Sequence, residues 1–274
     1  MKSKRQVDTK REKIVTEALI GMLKDNISDI DVETNDDKKL QLSGVDLIIK
    51  SESIFGDGTY HAVDCKAATD YIVEVGKKGL PTFAMEIGST QKEEFRIGWA
   101  ISDSDEFYSD TEYYVFQWIF LHQGIDLLRS PQDIAKIEVK VVSKKDLKEF
   151  IENVSEKIEP KAELRNPINL TYENIEKLYN FFRKLSKKYS EISKENGEIK
   201  ETITTGEKVF SINIDKKKRL KMSPVDYKNC DKKGPKLVFT PKTVKEEQPL
   251  NLVIPKYYLD SISIYSRELT KGKG

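Results

Sequence analysis

Two stretches constrain this chain most: "LQLSGVDLIIK" (40–50) and "YHAVDCKAA" (60–68). Both alternate with the period of two that lets a strand bury one side. Residues 51–59, "SESIFGDGT", carry two glycines and read as the turn between them. In the second stretch Val63, Cys65 and Ala67 share an apolar face that belongs in a core. Ala62, Asp64, Lys66 and Ala68 share the other. An acid and a base therefore stand together among alanines.

A hairpin whose turn is centred on Phe55 pairs residues whose numbers sum to 110. Val45, Leu47 and Ile49 then face one way, and Asp46 falls opposite Asp64. Opposed side chains in an antiparallel pair have Cβ atoms about 4.5–5.5 Å apart, and like charges there repel. Lys66 cannot neutralise two carboxylates alone. A divalent cation can, and hard cations take oxygen ligands.

The surroundings suit an α/β protein. Residues 8–24 place Ile14, Val15, Ala18, Leu19, Met22 and Leu23 at helical spacing, with Glu17 near the edge of the apolar stripe. Residues 27–34, 81–89, 111–122 and 133–143 read as strands, and 144–158 as a helix. A strong amphipathic helix spans 171–193, with Ile175, Leu178, Phe181, Phe182, Leu185 and Tyr189 inward. Short strands are expected at "KVFSINI" and "KLVFTP". A boundary near 155–168 divides the chain into a core, 1–155, and a C-terminal α+β region, 156–274, which could equally belong to the same domain.

The Asp46, Asp64 and Lys66 pattern resembles the PD-(D/E)xK, or restriction-endonuclease-like, nuclease superfamily. Its signature is an acid at the end of one strand followed by (D/E)-x-K in the next strand of a hairpin. "SGVDLII" supplies the first part and "VDCKA" the second, with Val45 where the family name has proline. The resemblance spans roughly residues 10–125. The stretches "TFAMEIGS", "RIGWAI" and "TEYYVFQWI" look like strands completing such a sheet in phage and mobile-element members. It implies a mixed central sheet flanked by helices and Mg²⁺- or Mn²⁺-dependent hydrolysis of nucleic-acid phosphodiesters, DNA favoured. Asp46, Asp64 and the Cys65 carbonyl would hold the metal, Lys66 would orient the attacking water, and Glu17 would hold a second metal or a metal-bound water. Glu86, in the apolar "FAMEIGS", could be a further acid at the site. The rival readings are a catalytically silent binding module of the same fold and an ordinary charge ladder.

Charge is uneven. The chain has 47 basic and 46 acidic residues. Residues 216–245 nevertheless hold eleven lysines and arginines against Asp226 and Asp231 only. Lys216, Lys217, Lys218, Arg219 and Lys221 are the candidate phosphate contacts. A homodimer or protein partner could also use the C-terminal region. His61 alternates away from Asp64 and reads as a packing residue, and His122 as structural. The two cysteines, Cys65 and Cys230, form no metal or disulfide framework, which suits a reducing cytoplasm. No apolar run is long enough for a membrane span.

Overall fold

A computed structural model describes residues 4–35, 43–91, 93–102, 109–158, 172–196, 199–205, 208–224 and 234–272. The chain forms two compact units. The first contains residues 1–81, 103–146 and 257–274, and the second 82–102 and 147–256. The chain thus leaves the first unit and returns to it twice, whereas the sequence suggested consecutive halves meeting near 155.

In the first unit, α1 (Lys4–Asn26) precedes β1 (Asp31–Thr34) and β2 (Leu47–Lys50). The short α2 (Glu52–Phe55) leads to β3 (Tyr60–Ala67). Gly56 closes α2 at φ 79°, donating its N–H to the Glu52 carbonyl, a left-handed conformation that glycine adopts without a Cβ penalty. After β4 (Val73–Glu74) the chain enters the second unit with β5 (Thr82–Gln91) and β6 (Glu94–Ile97). It re-enters the first with β7 (Tyr113–Leu121) and β8 (Ile134–Ser143).

The helix α3 (Lys144–Ile158) carries the chain onward, and α4 (Tyr172–Asn196) belongs to the second unit. There follow β9 (Ile199–Thr205), β10 (Lys208–Ile214), β11 (Leu220–Pro224), β12 (Lys236–Phe239) and β13 (Leu250–Pro255). The last strand, β14 (Ser263–Thr270), returns to the first unit.

The first sheet runs β1-β2-β3-β7-β8-β14, with β4 also paired to β7. It is mixed, because β3 and β4 run parallel to β7 and the other pairings are antiparallel. α1 packs on one of its faces. All six apolar residues expected on the inner stripe of α1 are buried, against Leu47, Ile49, Val63, Val115 and Ile119 among others. Each of these side chains except that of Ala18 contributes roughly 1.5–3 kcal/mol on burial.

The second sheet is wholly antiparallel, in the order β6-β5-β13-β12-β11-β10-β9. α4 packs on it through residues such as Tyr179, whose ring meets those of Phe95 and Phe239 and whose hydroxyl donates to the Gln248 carbonyl at 3.1 Å. After β6 the chain passes the Glu86 backbone so closely that a Cβ on Gly98 would lie 2.1 Å from the Glu86 carbonyl oxygen. The general α/β class is therefore as expected. The assignment of "TFAMEIGS" and "RIGWAI" to the hairpin's own sheet needs correction: β5 and β6 belong to the other sheet. Among the described residues no helix is long and apolar enough to cross a membrane.

Candidate active site

The hairpin of β2 and β3 has the register expected from the sequence. Leu47 opposes Val63, Ile48 opposes Ala62, Ile49 opposes His61 and Lys50 opposes Tyr60. Each pair sums to 110. Strand alternation then sends Val63 into the α1 core, fully buried. Asp64 and Lys66 take the other face, beside Tyr114 and Phe116 of β7, which are themselves fully buried.

The pairing stops one residue short of the expected opposition of Asp46 and Asp64. Asp46 lies in a bend just before β2, after a turn in which Gly44 has φ 84°. Its N–H donates to the Val63 carbonyl at 2.9 Å, and its Oδ2 accepts the Cys65 N–H at 2.8 Å. The turn pulls Asp46 out of the regular ladder, so it meets β3 diagonally through its carboxylate.

Two buried polar residues hold this bend. Asn35 Nδ2 donates to the Val45 carbonyl at 2.8 Å, and Thr111 Oγ1 donates to the Gly44 carbonyl at 2.8 Å. The sequence reading missed both. Their partners lie 10 and 67 residues away in the chain, where no local pattern marks them.

The three residues Asp46, Asp64 and Lys66 do come together. Asp64 is 3% exposed, and Lys66 Nζ lies 2.7 Å from its Oδ2. Lys66 is the one cation in contact with this buried oxygen among the described residues. Burial pushes the Asp64 carboxyl up, Lys66 pulls it back, and Asp46 raises it again, to about 7. Burial and the two acids also push the Cys65 thiol well up, which keeps it protonated and unreactive.

The remaining candidates are elsewhere. Glu17 is exposed on α1. Among the described residues no group of three or more His, Cys, Asp or Glu side chains is placed to hold a metal ion. Glu86 belongs to the second sheet, opposite Asn251, and accepts a hydrogen bond from Ser89 Oγ at 3.0 Å. His122 is exposed.

His61 is indeed buried and packed, its ring against those of Phe55 and Tyr113, but it is also charged chemistry. Nδ1 lies 2.6 Å from Glu112 Oε2, and Nε2 lies 2.9 Å from Asp57 Oδ1. With an acceptor on each ring nitrogen, the doubly protonated imidazolium satisfies both. Burial pulls its pKa down, but the bonds to Glu112 and Asp57 outweigh this and hold it above the usual range. The Thr59 N–H and His61 together hold Asp57 down at about 2.

The basic hairpin of β10 and β11 divides in two. Lys216, Lys217 and Lys218 are exposed at its tip. Arg219 makes two hydrogen bonds to Asp215 Oδ2, at 2.9 and 2.7 Å, and Lys221 Nζ lies 3.0 Å from the same oxygen. Burial raises Asp215, but these cations win and hold it at about 2. Lys236 is pushed below the usual lysine range by burial and by the nearby Lys221 and Arg219. Two cations thus share one carboxylate, and Lys236 stands near both of them. Residues 225–233 of the densest basic stretch lie outside the described residues.

No family model matches the chain, and comparison with curated proteins and with solved structures found no similar protein.

Proposed function

We propose that the protein is a metal-dependent nuclease of restriction-endonuclease-like type, hydrolysing nucleic-acid phosphodiesters at Asp46, Asp64 and Lys66. One observation carries this reading. A nearly fully buried carboxylate stands beside a second carboxylate, and among the described residues Lys66 is the one cation in contact with it. A fold gains nothing in stability from such a group, because burying an incompletely paired charge costs several kcal/mol.

The donor set suits Mg²⁺. That ion is commonly held by one or two carboxylates and keeps several waters, so it needs no third acid. Asp46 and Asp64 would hold it, with the Cys65 carbonyl as a neutral oxygen donor. When bound, it supplies a Lewis acid for the phosphate and lowers the pKa of a coordinated water. Asp46 accepts the Cys65 N–H, which fixes its carboxylate against β3. Lys66 stands 2.7 Å from Asp64 and would orient the attacking water while offsetting phosphate charge. The neighbouring Tyr114 and Phe116 are fully buried and give the site a low-dielectric wall, which strengthens each of these interactions. The mixed sheet carrying the acid-then-D-x-K hairpin supports the fold-level part of the reading. The exposed Lys216, Lys217 and Lys218 at the tip of the β10–β11 hairpin support a polyanionic partner, for which DNA is our reading.

The test is a panel of labelled single- and double-stranded DNA and RNA incubated with Mg²⁺, Mn²⁺ or chelator. Cleavage should require metal and vanish in Asp64→Asn and Lys66→Ala. Cleavage that survives either substitution with less than about a tenfold loss, roughly 1.4 kcal/mol of barrier, refutes the assignment. Metal-dependent binding without any cleavage would leave a silent binding module.

A further inference from the structure

The second unit carries a charged surface that the proposed chemistry does not use. α4 buries Ile175, Leu178, Tyr179, Phe182 and Tyr189. Its other side turns Lys177, Asn180, Lys184 and Lys188 to solvent, with Phe181 and Leu185 half-buried beside them. Both apolar residues were expected inward; at 100° per residue they fall at the edge of the stripe, which leaves Phe181 among lysines. These six residues bound an open surface depression of about 460 Å³ along the helix.

Between Glu176 and Glu191 the charged residues in the middle of this helix are basic only. From 177 to 188 the basic residues are Lys177, Arg183, Lys184, Lys187 and Lys188, and no acid interrupts them. Lys177 and Lys188 are eleven residues apart, about 16 Å along the axis at 1.5 Å per residue. A row of that length suits an extended chain of negative charges better than a single anion.

We propose that this face of α4 docks single-stranded nucleic acid, with Lys177, Lys184 and Lys188 on phosphates and the Phe181 ring offered to an unpaired base. A basic surface carrying an aromatic ring is a combination that holds single strands, because every base has a face to stack and the lysines follow the backbone. An acidic protein fits less well. A stable protein interface needs an apolar centre within roughly 800 Å² per partner, and Phe181 with the edge of Leu185 offers little of that. The proposal names a substrate class for the hydrolysis proposed above and rests on that reading for its use, although the docking itself does not require cleavage.

The experiment measures fluorescence anisotropy of a labelled thymidine 20-mer and of a 20-base-pair duplex, using the full chain with Asp64→Asn so that neither probe is cut. Single strands should bind more tightly than duplex. Lys184→Gln with Lys188→Gln should lower the slope of log affinity against log salt by about 1.4 for the single strand, at about 0.7 per phosphate contact. Phe181→Leu keeps an apolar side chain at the half-buried position but removes the ring. It should weaken single-strand binding about fivefold or more, as loss of one stacked base does, while leaving duplex binding unchanged. Unaltered binding in these variants, equal affinity for duplex, or binding to poly-glutamate but not to the oligonucleotide overturns the docking surface. If the wild-type chain cleaves nucleic acid and the α4 variants bind and cleave equally well, only the docking proposal fails. If the α4 variants lose binding but no metal ever supports cleavage, only the nuclease reading fails.

Discussion

Replacing Asp64 by asparagine should stabilise the metal-free protein, and by an amount that grows with pH. The wild-type carboxyl titrates at about 7 in the fold, against 3.8 as its ordinary value. The folded chain therefore holds a proton that the unfolded chain has released between pH 4 and 7. For a carboxyl raised in this way, stability falls as pH rises through that window and levels off above it. Each unit is worth about 1.36 kcal/mol, so the full cost above pH 7 is about 4 kcal/mol. Between pH 5 and pH 8 the accumulated part is about 2–3 kcal/mol on the same scale. Asparagine carries no such term, and the remaining titrating groups are common to both proteins. Urea unfolding of the two proteins at pH 5, 6, 7 and 8, with chelator present, isolates the difference. The stability of Asp64→Asn relative to wild type should climb by about 2–3 kcal/mol across that range. A flat difference, or one that falls with pH, would show that Asp64 is not a buried, raised carboxyl, and the reason for assigning it a metal would go with it.

Other perturbations should separate the roles of neighbouring groups. Lys66→Ala should abolish cleavage yet leave Mn²⁺ binding within a few-fold at pH 8.5; at pH 6.5 binding should weaken, because loss of the ammonium raises Asp64 further and protons compete with the ion. A calorimetric titration at the two pH values checks both statements. Asn35→Ala frees the Val45 carbonyl in a buried place, which costs about 1–3 kcal/mol, and should weaken metal binding by loosening the bend that carries Asp46; unchanged affinity would show that Asn35 does not position it. His61 is raised by its carboxylate partners, so its contribution is present below pH 6.5 and is lost as pH rises through its folded value. In the Asp64→Asn background, His61→Gln should flatten that decline in urea midpoints between pH 6 and 9, and an unchanged pH profile would contradict the bridged imidazolium.

Much of the first unit was legible because two simple periods govern it. The 3.6-residue spacing identified the buried stripe of α1, and the turn at 51–59 fixed the register of β2 against β3. The same periods fail where the answer depends on distant pairing. β5 and β6 alternate as well as any strand, but alternation does not say which sheet a strand joins. β5 pairs with β13 and with β6, and the first sheet resumes only with β7. The return of β14 to pair with β8 is equally silent in the sequence. In the candidate site, Asp46, Asp64 and Lys66 were visible because a hairpin brings them together locally. Asn35 and Thr111 were not, since ordinary polar residues become supports only after the chain has folded round them. Phe181 and Leu185 show the limit of reading a helix by apolarity alone, since both count as apolar while their angular positions leave them half-exposed.

The most direct test of the acid pair is a calorimetric titration of Mn²⁺ into the protein at pH 7, repeated in two buffers of different ionisation enthalpy. With Asp64 titrating at about 7, binding should release about half a proton per ion at pH 7 and almost none at pH 8.5. Asp64→Asn should lose both the proton release and most of the affinity. Absence of binding, or binding with the same heat and no proton release in both proteins, would contradict a metal site at Asp46 and Asp64.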